Sequence, residues 1–203
     1  EIYTLSLHDA LPISIHTTIA ENPAAVAALD HAPPAVRESL PRVLACSDFI
    51  AASCTRSAEF LPSLLADASL TTAREPGAPA AALRRASPDT LDEAGAMRLL
   101  REYRRHESVR IAWRDLAGWS SVEESLCDLT GMADASIAFA HDFAWRTLVA
   151  QHGTPRSADG AVQSLIVLGM GKLGGAELNF SSDIDLVLLF PENGDTDGRR
   201  AVR

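Results

Sequence analysis

Along most of this chain apolar residues recur every three or four positions, the spacing of helices with one buried face. Between residues 39 and 70 the recurring positions are Leu40, Val43, Leu44, Phe49, Ile50, Phe60, Leu61, Leu64 and Leu65. Pro62 is expected to kink this run or divide it into two helices. Residues 72–89 are rich in Pro, Ala and Arg and read as a loop or broken helix. A long helix is expected over 91–116. Met97, Leu100, Tyr103, Ile111, Trp113 and Leu116 would form its buried side, and Arg101, Arg104, Arg105 and Arg114 its polar contacts. Ser121 and Glu124 then form the S-x-x-E pattern of a capping box. After it, Leu126, Leu129, Ala133, Ile137, Ala140, Ala144 and Leu148 mark one apolar stripe of a further long helix. His152-Gly153-Thr154-Pro155 ends it. Residues 15–150 therefore read as a helical region and 151–160 as a connector.

The pattern changes after residue 160. Leu165-Ile166-Val167-Leu168 is a short apolar run with the length and branching of a buried strand. It leads into Gly169-Met170-Gly171-Lys172-Leu173-Gly174-Gly175. A second apolar run, residues 186–190, follows Ser181-Ser182-Asp183-Ile184-Asp185. Helices followed by short strands make the fold class α+β.

The glycines would let backbone approach a bulky ligand, and a helix start beyond them would aim free N–H groups at phosphate oxygens. Gly169, Gly171 and Gly174 also match the dinucleotide fingerprint G-x-G-x-x-G. That motif needs a full helix, a second strand, and an acid about 20 residues on. Here the acids stand 9 and 11 residues after Gly174, before the second run, which argues against a dinucleotide site. No Gly-Lys-Ser/Thr closes the loop, so it is not a Walker A motif.

Asp183 and Asp185 at a strand entrance would point to one face, their Cα atoms roughly 7 Å apart. At ~4 Å two unpaired carboxylates repel by about 4 kcal/mol at an effective dielectric of 20. A divalent cation converts this repulsion to attraction, and Mg²⁺ favours one or two carboxylates together with phosphate oxygens and water. The alternative is an acidic strand entrance that only caps a turn. Lys172 either pairs with a phosphate or forms a surface ion pair, and its place in the loop favours the phosphate. Ser181 and Ser182 either cap the turn or contact phosphate.

Composition narrows the class. Apolar residues make up 47%, enough for a real core, and the formal net charge is −9. That balance argues against nonspecific nucleic-acid binding, which relies on clustered Lys and Arg. It suits anionic substrates held through a metal ion. Cys46, Cys54 and Cys127 lack zinc spacing and read as reduced thiols. No apolar run would span a membrane and no signal peptide is evident, so the expected location is cytoplasmic. His106, His141 and His152 have no ligand spacing, and Arg104-Arg105-His106 reads as a solvated helix face. Residues 1–14 match one translation frame of a common short-read sequencing adapter and are set aside from fold reasoning. On that reading the native N-terminus is missing and the end at Arg203 is a second truncation.

The run from Gly169 to Leu186 resembles the signature of the bifunctional glutamine synthetase adenylyltransferase/adenylyl-removing enzyme family. Ala45-Cys46-Ser47-Asp48-Phe49 and Arg110-Ile111-Ala112-Trp113-Arg114-Asp115-Leu116 resemble further family segments. The likeness covers about residues 39–203. It implies that residues 161–203 are the first strands of an incomplete nucleotidyltransferase domain of the DNA polymerase β-like, mixed-sheet type. Family members carry two such domains, and the Leu-Asn-Phe-Ser-Ser-Asp-Ile-Asp wording resembles the copy that removes AMP from a tyrosine by phosphorolysis. By resemblance Asp183 and Asp185 are catalytic metal ligands for Mg²⁺, and Gly169, Gly171, Lys172 and Ser182 are nucleotide-binding. The implied partners are glutamine synthetase, a PII-type regulatory protein, ATP or ADP, and phosphate. The family usually has Arg where this chain has Ala176, which puts a contact there in doubt. A third carboxylate is expected beyond the chain, Asp195 and Asp197 being poor candidates, so this piece is expected to be inactive alone. A protein-docking module that binds nucleotide without catalysis is the alternative.

Overall fold

The computed structural model describes residues 13–75, 77–88 and 90–198. Of the residues set aside above, 1–12 lie outside that range. The chain divides into two compact units, one formed by residues up to 76 with Arg101–Asp128, the other by Gly77–Leu100 with the residues from Leu129 onward.

In the first unit short helices follow one another: α1 (Ile13–Ala20), α2 (Pro23–His31), α3 (Pro34–Cys46), α4 (Asp48–Arg56) and α5 (Phe60–Ala66), then a 3₁₀ turn at Ala68–Leu70. Polar caps set their boundaries. The Asn22 side chain accepts from the N–H groups of Ala24 and Ala25, and Ser47 accepts from Ile50 N–H. The divisions therefore fall at Ser47 and at residues 57–59, not at Pro62. Pro62 stands in the first turn of α5, where its missing N–H has no helical partner to lose. Val36, Leu40, Val43, Leu44, Ile50, Leu61, Leu64 and Leu70 make the core. Phe49 lies off this stripe and is 49% exposed, against expectation. Cys54 is buried and its thiol is pushed up to about 12 by that burial, so it is an inert packing residue.

Helix α7 (Glu93–Ala117) brings charge into this core. Tyr103, Ile111 and Trp113 are buried as expected, and Trp113 Nε1–H donates to Ser39 Oγ at 2.9 Å. Met97 is exposed instead, and Arg114, expected as a polar contact, makes its contacts from a buried position, along with Glu107 and Arg110. Arg110 donates to Glu107 at 3.1 Å and to Asp128 at 2.6 Å. Arg74 bridges Asp67 at 2.9 Å and Glu107 at 2.8 Å. Arg114 reaches Leu70 O, Trp119 O and, at 2.5 Å, the Glu124 carboxylate. Arg104 is exposed, while His106 turns toward Glu107 at 3.6 Å.

The second unit holds α6 (Ala78–Ala86), the first part of α7, and most of α8 (Val122–His152). Ser121 Oγ caps α8 by accepting from Glu124 N–H at 3.2 Å. Leu129, Met132, Ala133 and Ala135 are buried, but the expected stripe stops there. Ala140 and Ala144 are exposed and Leu148 is 54% exposed, because no described element covers that end. Gly153, at φ +86°, turns the chain out of the helix. Two antiparallel pairs follow: β1 (Pro155–Arg156) with β4 (Asp195–Thr196), and β2 (Ile166–Gly169) with β3 (Leu186–Leu189). The α+β class holds, as a mainly helical chain ending in short strands. The expected buried strand is a correction: Ile166 and Leu168 are 43% and 45% exposed, since no described layer covers their face of the hairpin. Among the described residues no helix is long and apolar enough to cross a membrane.

Burial alone would push the Glu107 carboxyl up, but the His106 hydrogen bond and the Arg110 and Arg74 charges hold it below the usual range. Asp67 is likewise held low, its burial outweighed by Ser69, Arg74 and His106. Depressed carboxylates stabilise the fold above their unfolded values, about pH 4, and lose that contribution as pH falls through the folded values. The melting temperature followed by circular dichroism should therefore drop steeply below about pH 4. Glu107→Gln should flatten that acid limb and destabilise the chain at neutral pH by about 1–3 kcal/mol, since it removes the buried charge shared by Arg74 and Arg110 while Asp67 and Asp128 still pair with them.

Candidate functional site

The β2–β3 ladder pairs Ile166 with Leu189, Val167 with Leu188, Leu168 with Val187 and Gly169 with Leu186. One more bond continues it, from Met170 N–H to Asp185 O at 3.0 Å. The register thus sets the glycine loop beside the Asp-x-Asp segment at one end of the hairpin. By alternation Asp185 and Met170 share a face with Leu168 and Val187. Leu165 and Val167 lie on the other face. There they line an open groove of ≈ 290 Å³ with Asp134, Ile137, Ala138 and His141 of α8.

The glycine loop closes as one turn, α9 (Gly171–Gly174), rather than the helix start expected. Gly175 N–H returns to Gly171 O, and Glu177 N–H to Lys172 O at 2.8 Å. A turn this short carries no axial array of free N–H groups. Gly171 sits at φ +55°, and a Cβ on Gly174 would stand 2.4 Å from Gly169 O. These two positions need glycine for geometry alone, whatever they bind. Leu173 is buried and anchors the turn. Ala176 has φ +57°, an uncommon conformation for a residue with a Cβ.

The segment leading to the acids is fixed differently. Leu178 is buried, and its N–H faces Thr130 Oγ1 of α8 at 3.4 Å. Asn179 Oδ1 accepts from Ser182 Oγ at 2.6 Å, from Ser181 N–H at 3.2 Å and from Ser181 Oγ at 3.2 Å. Ser182 N–H donates to Asn179 O, and Ser182 Oγ accepts from Asn179 N–H. Both serines thus cap the turn, one of the two roles left open by the sequence. Asn179 and Thr130 went unnoticed in the sequence. The Asn-x-Ser-Ser spacing was the available signal for Asn179; nothing local marks Thr130.

Asp183 and Asp185 are both exposed, and among the described residues no side-chain bond or ion pair engages either. Lys172 is exposed and makes no ion pair among them. Two free carboxylates whose backbone is held beside a loop offer hard oxygen donors without a competing cation, which fits Mg²⁺. Ser182 stands next to the pair, half-buried. Asp197 is taken by Arg156 Nε at 2.7 Å and Thr154 N–H at 2.7 Å, and Asp195 lies in β4, so neither belongs to the hairpin ladder. Among the described residues the one group of three or more metal-type ligands is Asp67, His106 and Glu107, in the first unit, and Arg74 already bridges its two carboxylates.

A family model described as glutamate-ammonia ligase adenylyltransferase matches residues 37–203. The chain is similar to the bifunctional glutamine synthetase adenylyltransferase/adenylyl-removing enzyme of Shewanella oneidensis, 45% identical over 166 residues. That match covers 82% of this chain and 17% of the relative. The enzyme of the same description from Thioalkalivibrio sulfidiphilus is 46% identical over 175 residues, 86% of this chain and 18% of the relative. That from Vibrio parahaemolyticus is 38% identical over 191 residues, 93% and 20%. The chain thus spans a fifth or less of the length of these relatives.

The close approach of Gly174 to the Gly169 carbonyl gives a direct test. Gly174→Ala should destabilise the hairpin end by about 1–3 kcal/mol through overpacking against backbone. Amide exchange at Met170 and Gly175 should quicken, while the helical melting of the first unit stays in place. Unchanged exchange at both amides would show that the loop tolerates the extra carbon.

Proposed function

This chain belongs to the glutamate-ammonia ligase adenylyltransferase family, and from that premise we propose that it carries the nucleotide- and metal-binding half of the site that removes AMP from glutamine synthetase. The observation that supports the reading is the hairpin register, which pairs Gly169 with Leu186 and Met170 with Asp185 and so sets the start of the glycine loop beside the Asp-x-Asp segment.

In this reading Asp183 and Asp185 hold Mg²⁺, which supplies charge neutralisation at the phosphate under attack. Gly169 and Gly171 let the backbone approach the nucleotide, and Lys172, whose ammonium makes no ion pair among the described residues, pairs with a phosphate oxygen. Ser182 forms the rim through its turn. An oxygen of inorganic phosphate attacks the adenylyl phosphorus, the bond to the tyrosine oxygen breaks, and that oxygen takes a proton; the product is ADP. Holding the attacking and leaving oxygens in line is the main work left to protein groups, since the chemistry needs positioning and charge more than covalent help. The opposite reaction, attachment of AMP from ATP, belongs to a second domain of the full-length enzyme, and a PII-type protein regulates the pair.

In a full-length enzyme containing this chain, Asp183→Asn with Asp185→Asn should abolish phosphate-dependent release of ADP from adenylylated glutamine synthetase while sparing attachment of AMP. Normal release by the double variant would refute the site, and loss of attachment with retained release would assign the chain to the other activity.

A further inference from the structure

We infer that Asn179 is a positioning residue for the metal pair: it folds the turn that delivers Asp183, whereas Asp185 is held separately by the hairpin ladder. The inference rests on the reading of Asp183 and Asp185 as metal ligands.

The segment between the glycine turn and β3 is fixed at few points. Leu178 is buried at 5% exposure and holds the start. Immediately after it, one side-chain carbonyl, Asn179 Oδ1, gathers a hydroxyl at 2.6 Å, a second hydroxyl at 3.2 Å and a backbone N–H at 3.2 Å. The backbone closes the same turn, Ser182 N–H to Asn179 O at 3.1 Å. Ser182 is covalently next to Asp183, so the turn sets where Asp183 begins. On the far side Asp185 O accepts from Met170 N–H at 3.0 Å. Residues 183 and 184 are thus clamped between a side-chain-built turn and a backbone ladder.

The two clamps depend on different atoms. Asn179→Ala deletes the acceptor for all three donors and leaves the ladder intact. An Asx-type turn is a local hydrogen-bonded structure that the side chain itself creates, so its loss frees the neighbouring residue without unfolding the strand pair. A carboxylate pair binds a hard cation well only when both oxygens are presented together, and partners that orient ligands typically matter about 10–100-fold in metal affinity. Freed Asp183 would turn a two-carboxylate site into one held by Asp185 alone.

The test uses this chain with Mn²⁺ as the probe, free metal being read by electron paramagnetic resonance and amide exchange by NMR. Asn179→Ala should weaken Mn²⁺ binding about tenfold. It should speed exchange at the Ser182 amide and leave the Met170 amide protected. If the parent chain binds no Mn²⁺, or Asp183→Asn with Asp185→Asn binds it unchanged, the metal-pair reading itself fails. If that double variant loses Mn²⁺ while Asn179→Ala binds as the parent does, the pair stands and the positioning role is wrong. Equal loss of protection at Met170 and Ser182 would also overturn the inference, since the turn would then be holding the whole hairpin.

Discussion

The first unit depends on Arg110. Its guanidinium is wholly buried, and it ties together three stretches of chain: Ser69 through a carbonyl, Glu107 one turn back on its own helix, and Asp128 near the start of α8. A buried guanidinium without partners would cost several kcal/mol, so the surrounding chain must supply acceptors in fixed places. That requirement orders the neighbourhood. Arg74 completes the charge on Glu107 and Asp67, and Arg114, four residues on, uses the same helix face to hold Leu70, Trp119 and Glu124. Apolar packing would tolerate small shifts of α7 along its axis. Charge-assisted and carbonyl contacts on both arginines do not, and this is where the register of α7 against residues 67–74 is set.

The hairpin is built on a different principle. Its strands are apolar on both faces, the composition of strands covered on two sides. In the structure these side chains stand about half exposed, and a lone two-stranded pair is marginal in water. What fixes it lies at its end rather than along its length. Leu173 and Leu178 are buried, the glycine turn packs against Gly169, and the Asn179 turn closes the loop. The stable part of the second unit's strand region is therefore the loop that carries the candidate chemistry.

How much of this the sequence foretold depends on which interactions decide each feature. The capping serine of α8 and the Gly153 stop were legible because caps and left-handed turns are local. Tyr103, Ile111 and Trp113 were legible from periodicity. Glu107, Arg110 and Arg114 were not read as core, since hydrophobic patterning assigns charge to water and cannot see that partners arrive from residues 67–74 and 124–128. Pro62 misled because its effect depends on distance from a helix start that a cap set elsewhere. At the site the acids and glycines were visible as a motif and the two strands as apolar runs, but the register that joins them came only with the backbone pairing. The roles of Asn179 and the length of the glycine turn required the backbone path.

Two acidic pairs in one chain also show why one of them, and not the other, suits a ligand. Asp67, half-buried, and Glu107, buried, stand close together, and their repulsion is already answered by Arg74, with Arg110 on Glu107. A divalent cation there would have to expel a guanidinium and then be desolvated, so the pair serves the fold. Asp183 and Asp185 are also carboxylates placed two residues apart, but they are exposed, and no described cation answers them. Water screens their repulsion in the free protein, so leaving them unpaired costs the fold little. A phosphate-bearing ligand that excluded that water would lower the screening and raise the demand for positive charge. On the proposed reading, a site tolerable when empty of substrate and cation-seeking when filled would couple metal and nucleotide binding, the behaviour the proposed phosphoryl chemistry needs.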